Sequence, residues 1–255
     1  MDKLKFIVAN PGGNITIFVL SPVAQKDYQT VAHKLLALKE YQGEQVGFVK
    51  SLGTINKMEM CGLEFCGNAG RSFALYAAKH KGLQGKQTIT IEESGTTSPL
   101  QVQVDVDTNY TKIAMPLPLQ IQPWQEGTLV DLGGIKHLVL EQVAPSEAVF
   151  AQLREKFYQE FQAAAFGVMF YNRKENFLIP IVYVDSVATT YWEGSCGSGS
   201  LACGLALSRE ETVGDFKYIF PQPRGEVTVQ IQKEQGKVVA NFIEGVVTFS
   251  DVYEL

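Results

Sequence analysis

Long apolar runs are missing from this chain of 255 residues, so no segment reads as a bilayer-spanning helix. Basic clusters are scarce as well. The longest is Lys79-His80-Lys81, and the formal net charge is −5, which argues against a nucleic-acid partner. Gly82 follows the triplet, so those cations read as the decoration of a helix C-terminus. Histidine is rare, and the four cysteines (Cys61, Cys66, Cys196 and Cys203) form no Cys-x-x-Cys pair and have no histidine close by. That spacing excludes a zinc ribbon, and no metal is expected. The first apolar run, Phe6 to Ala9, is too short for the core of a signal peptide and reads as a strand. The expectation is a cytoplasmic protein whose thiols stay reduced.

What is present is organised by alternation and punctuation. Leu100, Val102, Val104 and Val106 share one face of a strand, and Val227, Val229 and Ile231 repeat the pattern late in the chain. Further strands are expected over 15–20, 45–50, 88–91, 179–184 and 238–242. Helical periodicity runs from Ser146 to Ala164 through Phe150, Leu153, Phe157 and Phe161, and a second amphipathic helix is expected over 24–39. Two more helices, 69–81 and 200–209, are small-residue-rich and apolar on most sides, the pattern of a buried helix. Met115-Pro116-Leu117-Pro118, continuing to Pro123, reads as an extended linker. It separates two parts with the same order of strands, helix and strands. The expected architecture is α+β and pseudo-duplicated, with domains at 1–115 (completed by about 244–255) and 116–243 and a site between them.

The two buried-type helices each follow a cysteine. Cys66 opens Cys-Gly-Asn-Ala-Gly and Cys196 opens Cys-Gly-Ser-Gly-Ser. A helix N-terminus lowers a thiol pKa and offers unpaired N–H groups to an anion. Gly67 and Gly197 let the backbone approach closely, so the N–H groups that follow are placed to bind a carboxylate. One thiolate and one thiol on opposite sides of an amino-acid α-carbon would remove a proton from one face and return it on the other. Such a route holds the carboxylate with backbone dipoles and needs no pyridoxal phosphate as electron sink. Cys203, about two turns into its helix, and Cys61 read as small buried hydrophobes.

At these residues the chain resembles the diaminopimelate epimerase-like family of cofactor-independent amino-acid racemases and epimerases, and within it the histidine racemases. The resemblance is carried by Asn10-Pro-Gly-Gly-Asn14, Glu44-Gln-Val-Gly-Phe48, Glu64-Phe-Cys-Gly-Asn-Ala69, Trp192-Glu-Gly-Ser-Cys-Gly-Ser-Gly199 and Gln222-Pro-Arg-Gly225, in family order across nearly the whole chain. It implies two pseudo-symmetric domains, each a mixed curled sheet around a central helix. Cys66 and Cys196 would be the acid/base pair. Asn14, Asn68 and the Gly197-Ser198 backbone would hold the α-amino and α-carboxylate groups. No cofactor is implied, the partner is a small amino acid, and homodimers are common in the family.

The departures bear on the substrate. Diaminopimelate epimerases carry a Glu-Arg pair upstream of the second cysteine; here Val187 to Trp192 holds no arginine, and Glu193 is followed by Gly194. Their Gly-Asn-Pro-His stretch is reduced to Gly133-Gly134-Ile135-Lys136-His137. Glu44 and Glu193 are instead expected to meet a cationic or hydrogen-bonding side chain such as imidazole. His33, His80 and His137 are left outside the catalytic set. The expected function is therefore histidine racemisation. The alternatives are a diaminopimelate or other amino-acid epimerase, a cysteine hydrolase or acyltransferase, and an inactive amino-acid-binding protein.

Overall fold

The alternating segments form strands and the small-residue segments form buried helices in a computed structural model that describes residues 3–185 and 188–255. Met1, Asp2, Ser186 and Val187 lie outside the described residues. Backbone contacts group the chain into two units, Met1–Ala114 with Glu244–Leu255, and Met115–Ile243. No helix among the described residues is long and apolar enough to cross a membrane.

The first unit runs β1 (Lys5–Asn10), β2 (Thr16–Val19), α1 (Tyr28–Leu36), β3 (Gln45–Ser51), β4 (Asn56–Met60), α2 (Gly67–His80), β5 (Lys86–Glu93), β6 (Leu100–Asp105) and β7 (Tyr110–Ala114). These strands are hydrogen-bonded in sequence order. Two short C-terminal strands, Thr248–Phe249 and Tyr253–Glu254, return to pair with β1. The sheet is antiparallel except at β2/β3 and β4/β5. Those parallel steps are where a crossover helix is needed, and α1 and α2 supply it. The helix expected over 24–39 is shorter than its periodicity. Single 3-10 turns, Gln25–Asp27 and Lys39–Tyr41, flank α1. Tyr28 of α1 stacks on Phe48 of β3 at 3.7 Å, a contact worth roughly 1 kcal/mol beyond the area buried. Helix α2 buries almost its whole circumference against β4 to β7, as its composition implied.

The second unit runs β8 (Gln120–Trp124), β9 (Gly127–Asp131), β10 (Ile135–Glu141), α3 (Glu147–Glu160), β11 (Ala165–Asn172), β12 (Phe177–Val184), β13 (Thr189–Trp192), α4 (Gly197–Leu207), β14 (Gly214–Gln222), β15 (Gly225–Glu234) and β16 (Lys237–Val246), the last strand leading into the first unit's C-terminal segment. A six-stranded sheet has the order β13-β12-β11-β10-β9-β8. Its one parallel step, β10/β11, is bridged by α3. Ser146 caps α3 through its hydroxyl, which accepts from the Val149 N–H at 3.3 Å. The helix stops at Glu160, short of the expected Ala164, because Phe161 turns extended. The Phe161 ring nevertheless stays in the aromatic core, 5.7 Å from Trp124 and 5.3 Å from Phe157. Helix α4 packs on β9, β10, β11, β14 and β15. The buried Lys233 ammonium closes its C-terminal end by donating to the carbonyls of Ser208, Arg209 and Glu211.

The expected linker ends sooner than its prolines imply. Residues 115–118 are irregular, but Pro123 lies inside β8. That strand is the edge of the sheet, where a missing N–H costs no ladder bond. The internal duplication is explicit in the order. In each unit a strand, a helix and a parallel strand are followed by an antiparallel strand (with one more, β13, in the second unit), a cysteine, a buried helix and a further strand.

Candidate active site

In the first unit, the Asn10–Asn14 loop is shaped by an Asx-type turn. The Asn10 side-chain oxygen accepts from the Gly12 and Gly13 N–H groups at 3.1 and 2.7 Å, and both glycines have positive φ. The loop delivers Asn14, which is buried. Asn14 Nδ2 donates to Glu44 Oε2 at 3.2 Å, and Asn14 Oδ1 accepts from Gln45 Nε2 at 2.9 Å and from Asn68 Nδ2 at 3.4 Å. The Gln45 amide also reaches Cys66 Sγ at 3.2 Å. Cys66 is the N-cap of α2, with extended backbone. Gly67 and Asn68 form the buried first turn.

Under this network lies Arg71, fully buried. Its guanidinium donates to Asn68 Oδ1, Thr111 Oγ1, the Gly245 carbonyl and the Pro11 carbonyl. It thus ties the Asn10–Asn14 loop to α2. Five of the expected residues, Asn14, Glu44, Cys66, Gly67 and Asn68, fall in this one neighbourhood. Gln45 and Arg71 join them without having been expected. Gln45 lay in a quoted motif, and only the fold shows that its amide turns toward the sulfur.

The second unit repeats the arrangement with different side chains. Cys196 caps α4 with φ −131° and ψ 114°, against −133° and 103° at Cys66. Cys196 Sγ accepts from the Gly199 N–H at 3.3 Å and lies 3.6 Å from Ser198 Oγ. The first intrahelical bonds, Gly70 N–H to the Cys66 carbonyl and Ser200 N–H to the Cys196 carbonyl, are equivalent. Each helix start therefore leaves its preceding N–H groups without an intrahelical acceptor. Gly197, Ser198 and Glu193 lie at or just before this turn, and Glu193 acts electrostatically on the Cys196 thiol. His137, set aside in the sequence reading, is wholly buried with its Nε2 2.9 Å from Ser198 Oγ. Gly167 makes room for the ring, since a Cβ there would lie 2.3 Å from His137 Nδ1. Burial lowers the imidazole pKa to about 3, so the ring is neutral. His33 and His80 are exposed, Cys203 is buried in the core and Cys61 is half-buried.

The helix-start argument predicts lowered thiol pKa values, and the structure reverses it. Burial pushes Cys66 up to about 12, with the Glu93 carboxyl adding to the effect, while the Ala69 N–H and the Gln45 amide oppose it. Burial, followed by the charge of Glu193, raises Cys196 well above the usual thiol range. Desolvation of the thiolate outweighs the helix-end dipole in both places. A thiolate formed here is a strong base, the kind that abstraction of an α-proton requires.

The model of the histidine racemase CntK N-terminal domain matches residues 3–252. The chain belongs to the histidine racemase family. A histidine racemase of Fusobacterium nucleatum is 31% identical over 249 residues, covering 92% of each protein, and one of Staphylococcus aureus is 27% identical over 264 residues, covering 96% of this chain and 94% of the relative. The fold is shared with a predicted epimerase of Pseudomonas aeruginosa (TM-score 0.70, 12% identity, 100% of this chain and 99% of that one). It is shared too with a hydroxyproline epimerase of Agrobacterium vitis with bound trans-4-hydroxy-L-proline (TM-score 0.64, 12% identity, 100% and 94%). Membership in the histidine racemase family makes this protein an isomerase of the amino-acid racemase and epimerase class.

Proposed function

We propose that this protein interconverts L- and D-histidine without a cofactor, with Cys66 and Cys196 as the acid/base pair at the α-carbon. The observation that carries the reading is the duplication. Each unit presents a thiol at the N-cap of a buried helix, half-buried at Cys66 and buried at Cys196, with closely similar backbone angles and equivalent leftover N–H groups. One thiolate takes the α-proton and the opposite thiol supplies one to the other face, and the roles exchange with the hand of the substrate. The first-turn N–H groups at Gly67-Asn68 and Gly197-Ser198 stabilise the carboxylate as charge develops. Asn14, fixed by Glu44, Gln45 and Asn68, holds the α-amino group. Glu44 and Glu193 recognise the imidazole, which carries the donors that a carboxylate needs. A substrate ammonium also offsets the cost of the thiolate, so ionisation is coupled to binding.

The hydrolase alternative would use a cysteine with its own general base. His137 does not favour it, because its Nε2 is paired with Ser198 Oγ. A cytoplasmic homodimer is part of the same proposal.

The test is a chiral amino-acid panel run without added pyridoxal phosphate or metal. D-Histidine should form from L-histidine. Cys66→Ala or Cys196→Ala should abolish the reaction, and Cys203→Ala should not. Racemisation of diaminopimelate in place of histidine would move the substrate assignment. Full activity in Cys66→Ala would remove the two-thiol mechanism.

A further inference from the structure

The duplicated halves differ at one place that the mechanism above does not use. Glu93 is the last residue of β5, and its Oε1 accepts from the Cys66 N–H at 2.8 Å. Gln222 is the last residue of β14, the equivalent strand after the second cysteine helix, and its Oε1 accepts from the Cys196 N–H, also at 2.8 Å. Both side chains are buried, Glu93 to 4% exposure and Gln222 to 4%. The same acceptor oxygen therefore holds each cysteine from the same element, once on an acid and once on a neutral amide.

The remaining atoms of the two side chains differ further. Gln222 Nε2 donates to Ser200 Oγ at 3.0 Å and to the Phe220 carbonyl at 3.4 Å. Glu93 Oε2 is buried without a hydrogen-bond partner among the described residues, packed against Gly70, where a Cβ would lie 2.3 Å from it. An acid retained in this position carries a desolvation cost that an amide would lower.

We propose that Glu93 is a positioning residue for Cys66 that fixes the cysteine N–H and, from the end of β5, sets a charge its sulfur meets on ionising, at a position the second half fills with the neutral Gln222. The carboxyl that acts on Cys196 is Glu193, from the chain just before it and not from the strand end, so the two thiols answer to carboxyls on different elements. The other charged or titratable groups acting on this thiol are Glu64, just before Cys66 in the chain, and Arg71 from α2, which acts with the opposite sign. Burial raises the Glu93 carboxyl well above the usual carboxylate range, opposed in part by the Cys66 N–H and reinforced by the charge of Glu64. The catalytic consequence rests on the two-thiol reading given above; the effect on the thiol does not.

The experiment measures iodoacetamide alkylation of each cysteine by peptide-resolved mass spectrometry as a function of pH, in wild type, Glu93→Gln and Gln222→Glu. Glu93→Gln keeps the acceptor oxygen and is expected to move the Cys66 alkylation midpoint to lower pH, with about tenfold faster reaction at a fixed mildly alkaline pH. Cys196 should react unchanged in that variant. Gln222→Glu should slow Cys196 and leave Cys66 alone. Glu93→Ala, which removes the acceptor, should lower kcat for racemisation, with activity restored by Gln at that position. A Cys66 midpoint that stays in place in Glu93→Gln overturns the proposal. Loss of the two-thiol mechanism would show instead as an active Cys66→Ala enzyme, a separate outcome.

Discussion

Acidification should destabilise this fold through one side chain, His137. The ring is wholly buried, its Nδ1 has no hydrogen-bond partner among the described residues, and burial lowers its pKa from 6.5 to about 3. In the unfolded chain the same imidazole takes up a proton near its ordinary value. Between those limits the unfolded state binds more protons, so stability falls as pH falls, beginning near 6.5 and continuing to about 3. At pH 5 the loss from this group is about 2 kcal/mol, from 1.36 kcal/mol for each pH unit below the unfolded value. Glu93, whose carboxyl is raised by burial, works in the opposite sense. Its proton is bound more tightly in the fold, so its contribution to stability is lost as pH rises. The measurement is therefore a difference. Urea unfolding of wild type and of His137→Asn is compared at pH 5.0 and 7.5. His137→Asn starts from a lower stability because it leaves a cavity beside Gly167, but its curve should be flatter on the acid side by about 2 kcal/mol. Parallel curves would refute the account of a buried neutral histidine.

Two further substitutions test the supports of the site, and a third serves as their control. Arg71→Met leaves the Pro11 carbonyl and Asn68 Oδ1 without their donor, while Thr111 Oγ1 and the Gly245 carbonyl keep each other at 2.9 Å. Two orphaned acceptors at roughly 1–3 kcal/mol each, offset by no longer burying a cation, give a net loss of about 2–4 kcal/mol. A melting point lowered by about 5–15 °C, together with a raised KM, is expected, and an unchanged melting curve would contradict it. Gly199→Ala places a Cβ 2.2 Å from Met169 Sδ and 3.1 Å from Cys196 Sγ, so it should cost about 1–3 kcal/mol in thermal unfolding and disturb the thiol. Gly204→Ala, where the nearest atoms are 3.0 Å or more away, should be milder in both stability and kcat.

Much of the fold was legible because its signals are local. Alternation at Leu100 to Val104 and at Val227 to Ile231 marks real strands, and the small-residue segments after the cysteines are the buried helices. Continuous apolar runs gave less. Strand β11 is buried on both faces from Phe166 to Tyr171, so it shows no period of two. Pro123 misled because proline is compatible with an edge strand, and edge position is a tertiary property. In the site, the motif residues Asn14, Glu44, Cys66 and Asn68 converge as expected within the first unit. The side chains that hold them were not visible. Glu93 and Gln222 act from strand ends 27 and 26 residues beyond the cysteines they cap, and His137 reaches Ser198 across 61 residues. The thiol pKa direction failed for a related reason. A helix start can be read in sequence, but the depth at which it is buried cannot.

The mechanism is tested most directly by the fate of solvent deuterium early in the reaction. L-Histidine is incubated with the enzyme in deuterium oxide, and both enantiomers are separated at low conversion and weighed by mass spectrometry. Two thiols acting from opposite faces predict D-histidine fully labelled at the α-carbon, with the remaining L-histidine still carrying its original proton. Deuterium entering the residual L-histidine as fast as D-histidine forms would mean that a single base serves both faces, and the two-cysteine account would be wrong.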